Sequence, residues 1–295
     1  MVQNKIKGVG VALITPFKDY NVDYDALGRM VDYVIAGGVD YIVALGSTAE
    51  TATLALAERD KVLRFIVERT ANRVPIVAGM GSNNTADLVE QLKSFNLDGV
   101  VAILSVVPYY NKPSQEGIYR HFMAVAEVSP VPVIIYNVPG RTGLNMTAET
   151  TLRLAKASDK IVAIKEACGN IEQMQAILDG RPEDFLVLSG DDGLTVELVK
   201  RGGDGVISVA ANAFPESFCN TVHSAMNGDI ATAENEMERL VPSINLLFKE
   251  GNPTGVKAMT AAMGLTRAEV RLPLVEATDA LVGEIKSAIE RYELR

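Results

Sequence analysis

Histidine is almost missing from this 295-residue chain: only His121 and His223 occur, far apart and both inside helical patterns. A metal-dependent aldolase or a histidine-based hydrolase needs imidazoles converging at strand ends. Two isolated ones read as structural or surface residues. Cysteine is equally sparse, with Cys168 and Cys219 and no CxxC spacing. That excludes a disulfide framework or a thiolate metal site and leaves two free thiols as the expectation. An excess of positive charge is lacking as well. The formal net charge is −9, with 28 Lys and Arg against 37 Asp and Glu, so nothing is available to neutralise a nucleic acid's phosphates. No apolar run is long enough to cross a bilayer. Near the N-terminus, the run 9–14 is broken by Gly10 and stopped by Thr15-Pro16, too short for a signal h-region. The expectation is a soluble cytoplasmic protein with no membrane or nucleic-acid partner.

What is present is core material. Hydrophobic residues make up 48% and charged residues 22% of the chain, a globular composition. Short Val/Ile/Leu-rich runs at 8–14, 41–45, 75–78, 99–104, 132–136, 161–165, 185–188 and 205–209 do not alternate with polar residues. Strands buried on both faces of a parallel sheet read this way. Amphipathic patterns lie between them. Leu27, Met30, Val31, Val34 and Ile35 form one stripe, and Gly37-Gly38 supplies the φ > 0 stop. Ser114 and Thr147 stand as N-caps. Eight strand-then-helix units predict a closed (β/α)8 TIM barrel. An open doubly wound sheet usually stops at five or six strands and would carry a glycine fingerprint after the first; here Leu13-Ile14-Thr15-Pro16-Phe17 follows. After residue 228 only helical patterns remain, at 231–248, 255–263 and 276–292, with Thr266-x-x-Glu269 as a capping box. The chain is thus expected to divide into a barrel, 1–228, and a C-terminal helical extension, 229–295.

Barrel chemistry belongs at the C-terminal ends of the strands. The sixth run delivers Lys165, which is either a strand-end lysine snorkelling to solvent or an amine kept neutral by apolar walls and able to attack a ketone. The fifth ends in Tyr136-Asn137-Val138-Pro139-Gly140-Arg141-Thr142-Gly143. There the tyrosine is either core or a proton shuttle, and Arg141 either solvated or turned inward. The second ends in Gly46-Ser47-Thr48-Ala49-Glu50, where hydroxyls and N–H groups suit a carboxylate, though such turns are common connectors. Tyr109 and Tyr110, adjacent on a loop, point to opposite sides, as at interfaces. Asp191-Asp192 reads as an acidic pair at a helix N-terminus, and Gly202-Gly203-Asp204-Gly205 as a turn into the last strand.

Together with Ala12-Leu13-Ile14-Thr15-Pro16-Phe17, Pro108-Tyr109-Tyr110-Asn111-Lys112-Pro113, Ile164-Lys165-Glu166-Ala167, Ser189-Gly190-Asp191-Asp192 and Gly205-Val206-Ile207-Ser208, these motifs resemble the pyruvate-dependent class I aldolases and, within them, the dihydrodipicolinate synthase family. The resemblance spans essentially the whole chain. It implies a Lys165 imine with pyruvate and no other cofactor or metal, Tyr136 passing protons, and Thr48 holding the pyruvate carboxylate. It further implies that Ser47 links Tyr136 to Tyr110 of a neighbouring subunit, that Ile207 contributes its carbonyl near the lysine, and that the assembly is a homotetramer of tight dimers. Arg141 would hold a carboxylate on the incoming aldehyde, favouring aspartate semialdehyde over the sugars of the similar N-acetylneuraminate lyases, which lack that arginine. A related lyase acting on a sugar acid or a hydroxy-oxo acid, or a silent ligand-binding barrel, are the competing readings.

Three features depart from the family pattern. Ser47 replaces a usual threonine. Ala49 replaces a common glycine, at a cost of about 1 kcal/mol if φ > 0 is needed there. In the region where lysine inhibits sensitive relatives, Thr51, Ala52, Asn83 and Tyr109 match and Asp87 is a shortened glutamate. Leu56 and Arg59 replace histidines, and Arg59 would repel an ammonium, so weak feedback inhibition is expected.

Overall fold

The structure is a computed structural model describing residues 2–292; residue 1 and residues 293–295, the outer ends of the two expected regions, lie outside it. All eight apolar runs are parallel strands: β1 (Gly8–Ala12), β2 (Tyr41–Ala44), β3 (Ile76–Gly79), β4 (Ala102–Val106), β5 (Val133–Asn137), β6 (Ile161–Glu166), β7 (Leu186–Ser189) and β8 (Gly205–Ser208). They close into one barrel in which β1 pairs with both β2 and β8. Some ends differ for local reasons. β1 stops at Ala12 and the Ile14 N–H then goes to the Asn212 side chain, 3.0 Å. The run at 99 begins with a turn, Gly99 having φ +81, before β4 starts. A two-stranded hairpin, Phe17–Lys18 with Asn21–Val22, was not foreseen. Its turn residues Asp19 and Tyr20 have φ of 52° and 63° without being glycine, and Glu269 accepts hydrogen bonds from both of their N–H groups.

Around the barrel run α1 (Tyr24–Ala36), α2 (Leu56–Thr70), α3 (Thr85–Ser94), α4 (Gln115–Val128), α5 (Ala148–Ala157), α6 (Ile171–Gly180), α7 (Thr195–Lys200) and α8 (Pro215–Met226). The α1 stripe buries Leu27, Met30, Val31 and Val34 fully and Ile35 partly, and Gly38, at φ +90, turns the chain after it. Ser114 and Thr147 cap α4 and α5 by accepting from Gly117 N and Thr150 N. Both histidines are tied to structure. His121 is buried against Thr85 Oγ1, 2.9 Å, and His223 meets Asp40, 2.7 Å. Both cysteines are free.

Beyond α8 come α9 (Ile230–Phe248), α10 (Thr254–Ala262) and α11 (Asp279–Tyr292). α9 packs on α8 and α7, and α10 on the turn that follows β8. The expected capping box is not one. Residues 265–270 form no helix; Thr266 hydrogen-bonds Thr260 and Glu269 is spent on the hairpin turn.

Inward- and outward-facing strand residues build separate cores. Tyr41, Val43, Val77, Ala102, Leu104, Ile134, Leu186, Leu188 and Ile207 fill the barrel, while Ile42, Ala44, Ile103, Ile135, Ile164 and Val187 face the helices. β6 breaks the alternation. Its pairing with β5 jumps from Val133↔Ile161 to Ile134↔Ala163, so Val162 is an extra residue and both Val162 and Ala163 lie in the inner cluster. A one-residue bulge flips every later side chain to the other face. Ile164 therefore points out, Lys165 in and Glu166 out.

Candidate active site

Because of that bulge, Lys165 stands beside its register partner Tyr136, its Nζ 4.3 Å from the centre of the tyrosine ring. Lys165 is 5% exposed and Tyr136 7%. Burial lowers the Lys165 ammonium to about 8; Asp192 pulls it upward and Arg141 pushes it further down. Burial also raises the Tyr136 phenol, with Arg141 opposing. Both side chains border a cavity of about 360 Å³ whose wall includes Thr48, Arg141, Gly190 and Asn252. No protein group hydrogen-bonds the Lys165 amine among the described residues, and the side chain borders the cavity. A buried, partner-free amine near neutrality is the state a nucleophile needs.

The hydroxyl loop after β2 forms a tight turn at Ser47–Ala49. Positive φ falls on Leu45 (57°) and Glu50 (55°), not on Ala49. No positive φ is needed at position 49, so the condition under which alanine would be strained there is not met. Thr48 is buried, its Oγ1 accepting from Asn252 Nδ2 at 3.0 Å. The same Asn252, through its carbonyl, accepts from Arg141 Nη2 at 3.0 Å. One residue between α9 and α10 thus ties together the two groups expected to hold carboxylates. Glu50 is held from the same direction: its buried carboxylate pairs with the fully buried Lys257 of α10 and accepts from Arg271 N, 2.9 Å. Lys257 also donates to Glu269 O, 2.9 Å, and lies 4.0 Å over the Phe17 ring.

Arg141 projects from a short turn, Pro139–Thr142, that closes at Gly143, φ +75. That turn is pinned from behind. Asn137 and Glu166, register partners facing away from the barrel, join through Asn137 Nδ2 at 2.9 and 3.1 Å. Asn137 Oδ1 accepts from Met146 N, 3.0 Å, while Glu166 also takes Cys168 N and Gln173 Nε2. Burial raises the Glu166 carboxyl, and those hydrogen bonds oppose it.

The other expected site residues divide. Ser47 is exposed and Tyr110 is 87% exposed with φ +70; within one chain no hydrogen bond joins Tyr136, Ser47 and Tyr110. Ile207 lies in the barrel interior but not on the cavity wall. Thr51, Ala52, Leu56, Arg59 and Tyr109 line a second cavity, about 390 Å³, which shares Ser47, Tyr136 and Arg141 with the first. Asn83 and Asp87 do not line it: Asn83 O accepts from Asn111 and Asp87 is engaged by Gln91 and Ser82. Asp192 does not fit an acidic pair at a helix start. It is 2% exposed and its Oδ2 accepts from Val209 N and Ala210 N at 3.1 and 3.0 Å, in the loop after the neighbouring strand β8. Asn252, Lys257 and the outward-facing Glu166 were not anticipated at all. The only hint of Asn252 was the turn chemistry of Gly251-Asn252-Pro253 between two helices. Among the described residues no group of three or more His, Cys, Asp or Glu could hold a metal, and no helix is long and apolar enough to span a membrane.

Comparison with known proteins agrees with this fold. A 4-hydroxy-tetrahydrodipicolinate synthase of Phocaeicola vulgatus is 53% identical over 294 residues, covering 97% of this chain and 99% of the relative. The dihydrodipicolinate synthase of Thermotoga maritima superposes with a TM-score of 0.96 at 35% identity, over 99% of this chain and 100% of that one. The chloride-inhibited enzyme of Acinetobacter baumannii, solved in complex with pyruvate, gives 0.95 at 38% identity, over 98% and 100%. Residues 5–292 match the model of one family, and the chain belongs to it: the dihydrodipicolinate synthetase family.

Proposed function

We propose that this barrel condenses pyruvate with L-aspartate 4-semialdehyde to 4-hydroxy-tetrahydrodipicolinate, on the route to diaminopimelate and lysine. The observation that carries the reading is the Lys165 amine, buried, without a hydrogen-bond partner and lowered to about 8 at the wall of a cavity. The amine adds to the pyruvate ketone and the carbinolamine loses water to give an imine. The methyl carbon then loses a proton, and the resulting enamine attacks the aldehyde carbon of the second substrate. That substrate's own amine next displaces Lys165, closing the ring and freeing the enzyme. The only covalent group is the imine, with no other cofactor. Tyr136 passes the protons. Thr48 holds the pyruvate carboxylate, Arg141 that of the semialdehyde by charge-assisted hydrogen bonds, and the Ile207 carbonyl is proposed to contribute near the amine from the barrel interior. Borohydride reduction with pyruvate should leave a mass adduct on Lys165, and a coupled assay should prefer aspartate semialdehyde to a sugar aldehyde. An unlabelled Lys165 overturns the mechanism.

The exposure of Tyr110 suits a residue that acts in trans, with Ser47 as its link to the partner's Tyr136 in a homotetramer built from tight dimers in the cytoplasm. Tyr110→Phe should then slow turnover while pyruvate capture persists. The second cavity presents Leu56 and Arg59, an apolar and a cationic group, beside Thr51, Ala52 and Tyr109; with Asn83 and Asp87 off its wall, a lysine ammonium finds little there. Lysine should inhibit weakly or not at all, and inhibition at sub-millimolar lysine contradicts this.

A further inference from the structure

Lys165 packs on the segment that follows β7. A Cβ built on Gly190 would lie 3.1 Å from the lysine Cε. Gly190, Asp191 and Gly193 line the lysine cavity, as does Val209 from the end of the neighbouring strand β8. Asp192 lies within this wall, one side-chain oxygen fastened to the N–H groups of Val209 and Ala210. Its other oxygen, Oδ1, is buried and has no hydrogen-bond partner among the described residues. Leaving a carboxylate oxygen bare in a dry interior is costly, and such a group needs an account.

We propose that Asp192 is a positioning residue for the reaction, the fixed counter-charge that stabilises the cationic iminium of Lys165 from behind the cavity wall; this rests on the imine reading above. Of the charged groups around the lysine, Arg141 opposes a cation there, and Glu166 on the same strand faces outward into its own hydrogen bonds. Asp191 lines the cavity and also raises the carboxyl of Asp192; Tyr136 is a neutral phenol. Asp192 is raised by burial to about 6, held down by the Ser208 hydroxyl and the Ala210 and Val209 N–H groups. At neutral pH it is therefore charged. Asp192 pulls Lys165 toward its charged form, so the carboxylate makes the ammonium harder to deprotonate and the iminium easier to keep. Imine formation moves no charge onto Asp192; its field favours the cation that appears when the carbinolamine loses hydroxide, which takes up a proton and leaves as water.

The test is borohydride trapping of pyruvate on full-length enzyme, followed from pH 5.5 to 9.5, for wild type, Asp192→Asn and Ser208→Ala, with thermal melts alongside. In wild type the trapping rate should rise through about pH 8. Asp192→Asn should move that limb lower by on the order of one pH unit, about a tenfold change in the amine's proton affinity. It should also raise the half-saturating pyruvate concentration above both limbs. Ser208→Ala should move the limb the same way by less, and it keeps the test open if the first variant melts early. A merely structural Asp192 could lower the melting temperature without making the amine reactive at lower pH. Limbs unchanged in both variants, with Lys165 still trapped, overturn the inference; no trapping in wild type instead overturns the imine reading on which it rests.

Discussion

Two buried lysines, Lys165 at the mouth of the barrel and Lys257 in the helical extension, differ in what surrounds the amine. Both are lowered by burial to about 8. Each lies against an aromatic ring, Tyr136 at 4.3 Å and Phe17 at 4.0 Å. Lys257, however, spends its donors on the Glu50 carboxylate and the Glu269 carbonyl and lines neither of the two cavities described above. Lys165 has no hydrogen-bond partner among the described residues and borders about 360 Å³ of open space. Desolvation alone does not make a nucleophile. The lone pair must also be free, and the opposite charge must be near enough to act without taking the proton. The Asp192 geometry suits that second condition, whereas Glu50 binds its lysine directly and fixes the loop that carries Thr48.

Replacing each lysine by methionine separates the two roles. Lys165→Met should fold normally and lose turnover by at least on the order of 10⁴-fold, as when a covalent nucleophile is removed, with no pyruvate adduct. Near-normal turnover would make the two lysines equivalent and break the comparison. Lys257→Met should instead leave Glu50 charged, buried and unpaired, costing about 3–5 kcal/mol in denaturant unfolding. The double variant Glu50→Gln with Lys257→Met should recover most of that loss, since no uncompensated charge remains; failure to recover would mean that Lys257 acts by packing.

Smaller effects sharpen how the extension serves the site. Arg141→Gln should raise KM for aspartate semialdehyde about 10- to 100-fold, the equivalent of one charge-assisted hydrogen bond of roughly 1.5–3 kcal/mol. The pyruvate adduct should persist, and a KM that rises for pyruvate alone would misassign the arginine. Asn252→Ala, which frees Thr48 Oγ1 and removes a half-buried amide, should raise KM for pyruvate several-fold, about 1 kcal/mol, with less effect on kcat. Least of all, Ala49→Gly should lower stability by about 0.4–1 kcal/mol through unfolded-chain entropy, and leave both KM values unchanged. A stabilised Gly variant would show that the turn carries strain there after all.

The fold was largely legible because its signal is local. Unbroken apolar runs mark strands buried on both faces, and stripes at helical spacing mark what covers them. The Ser114 and Thr147 caps were equally readable, since a cap bonds within three residues. The Thr266-x-x-Glu269 pattern misled because a side chain bonds the nearest donor in space, and for Glu269 that donor is the Asp19-Tyr20 turn, about 250 positions away. The site divides along the same line. Lys165, Tyr136, Thr48 and Arg141 could be read at strand ends and in their loops. Asn252 and Lys257 could not, being contributed by the extension to a loop some 200 residues earlier, and Asp192 was visible but assigned to the wrong partner.

By itself the sequence determined eight strands, their helices and the residues that emerge at the strand ends, because backbone periodicity and side-chain volume act over a few residues. Tertiary structure alone decided which way those residues face. Strict alternation along β6 would have put Lys165 among the helices and Glu166 in the barrel. The extra residue at Val162, which exists only in the pairing with β5, reverses both, and it turns a strand-end lysine into an amine inside the barrel.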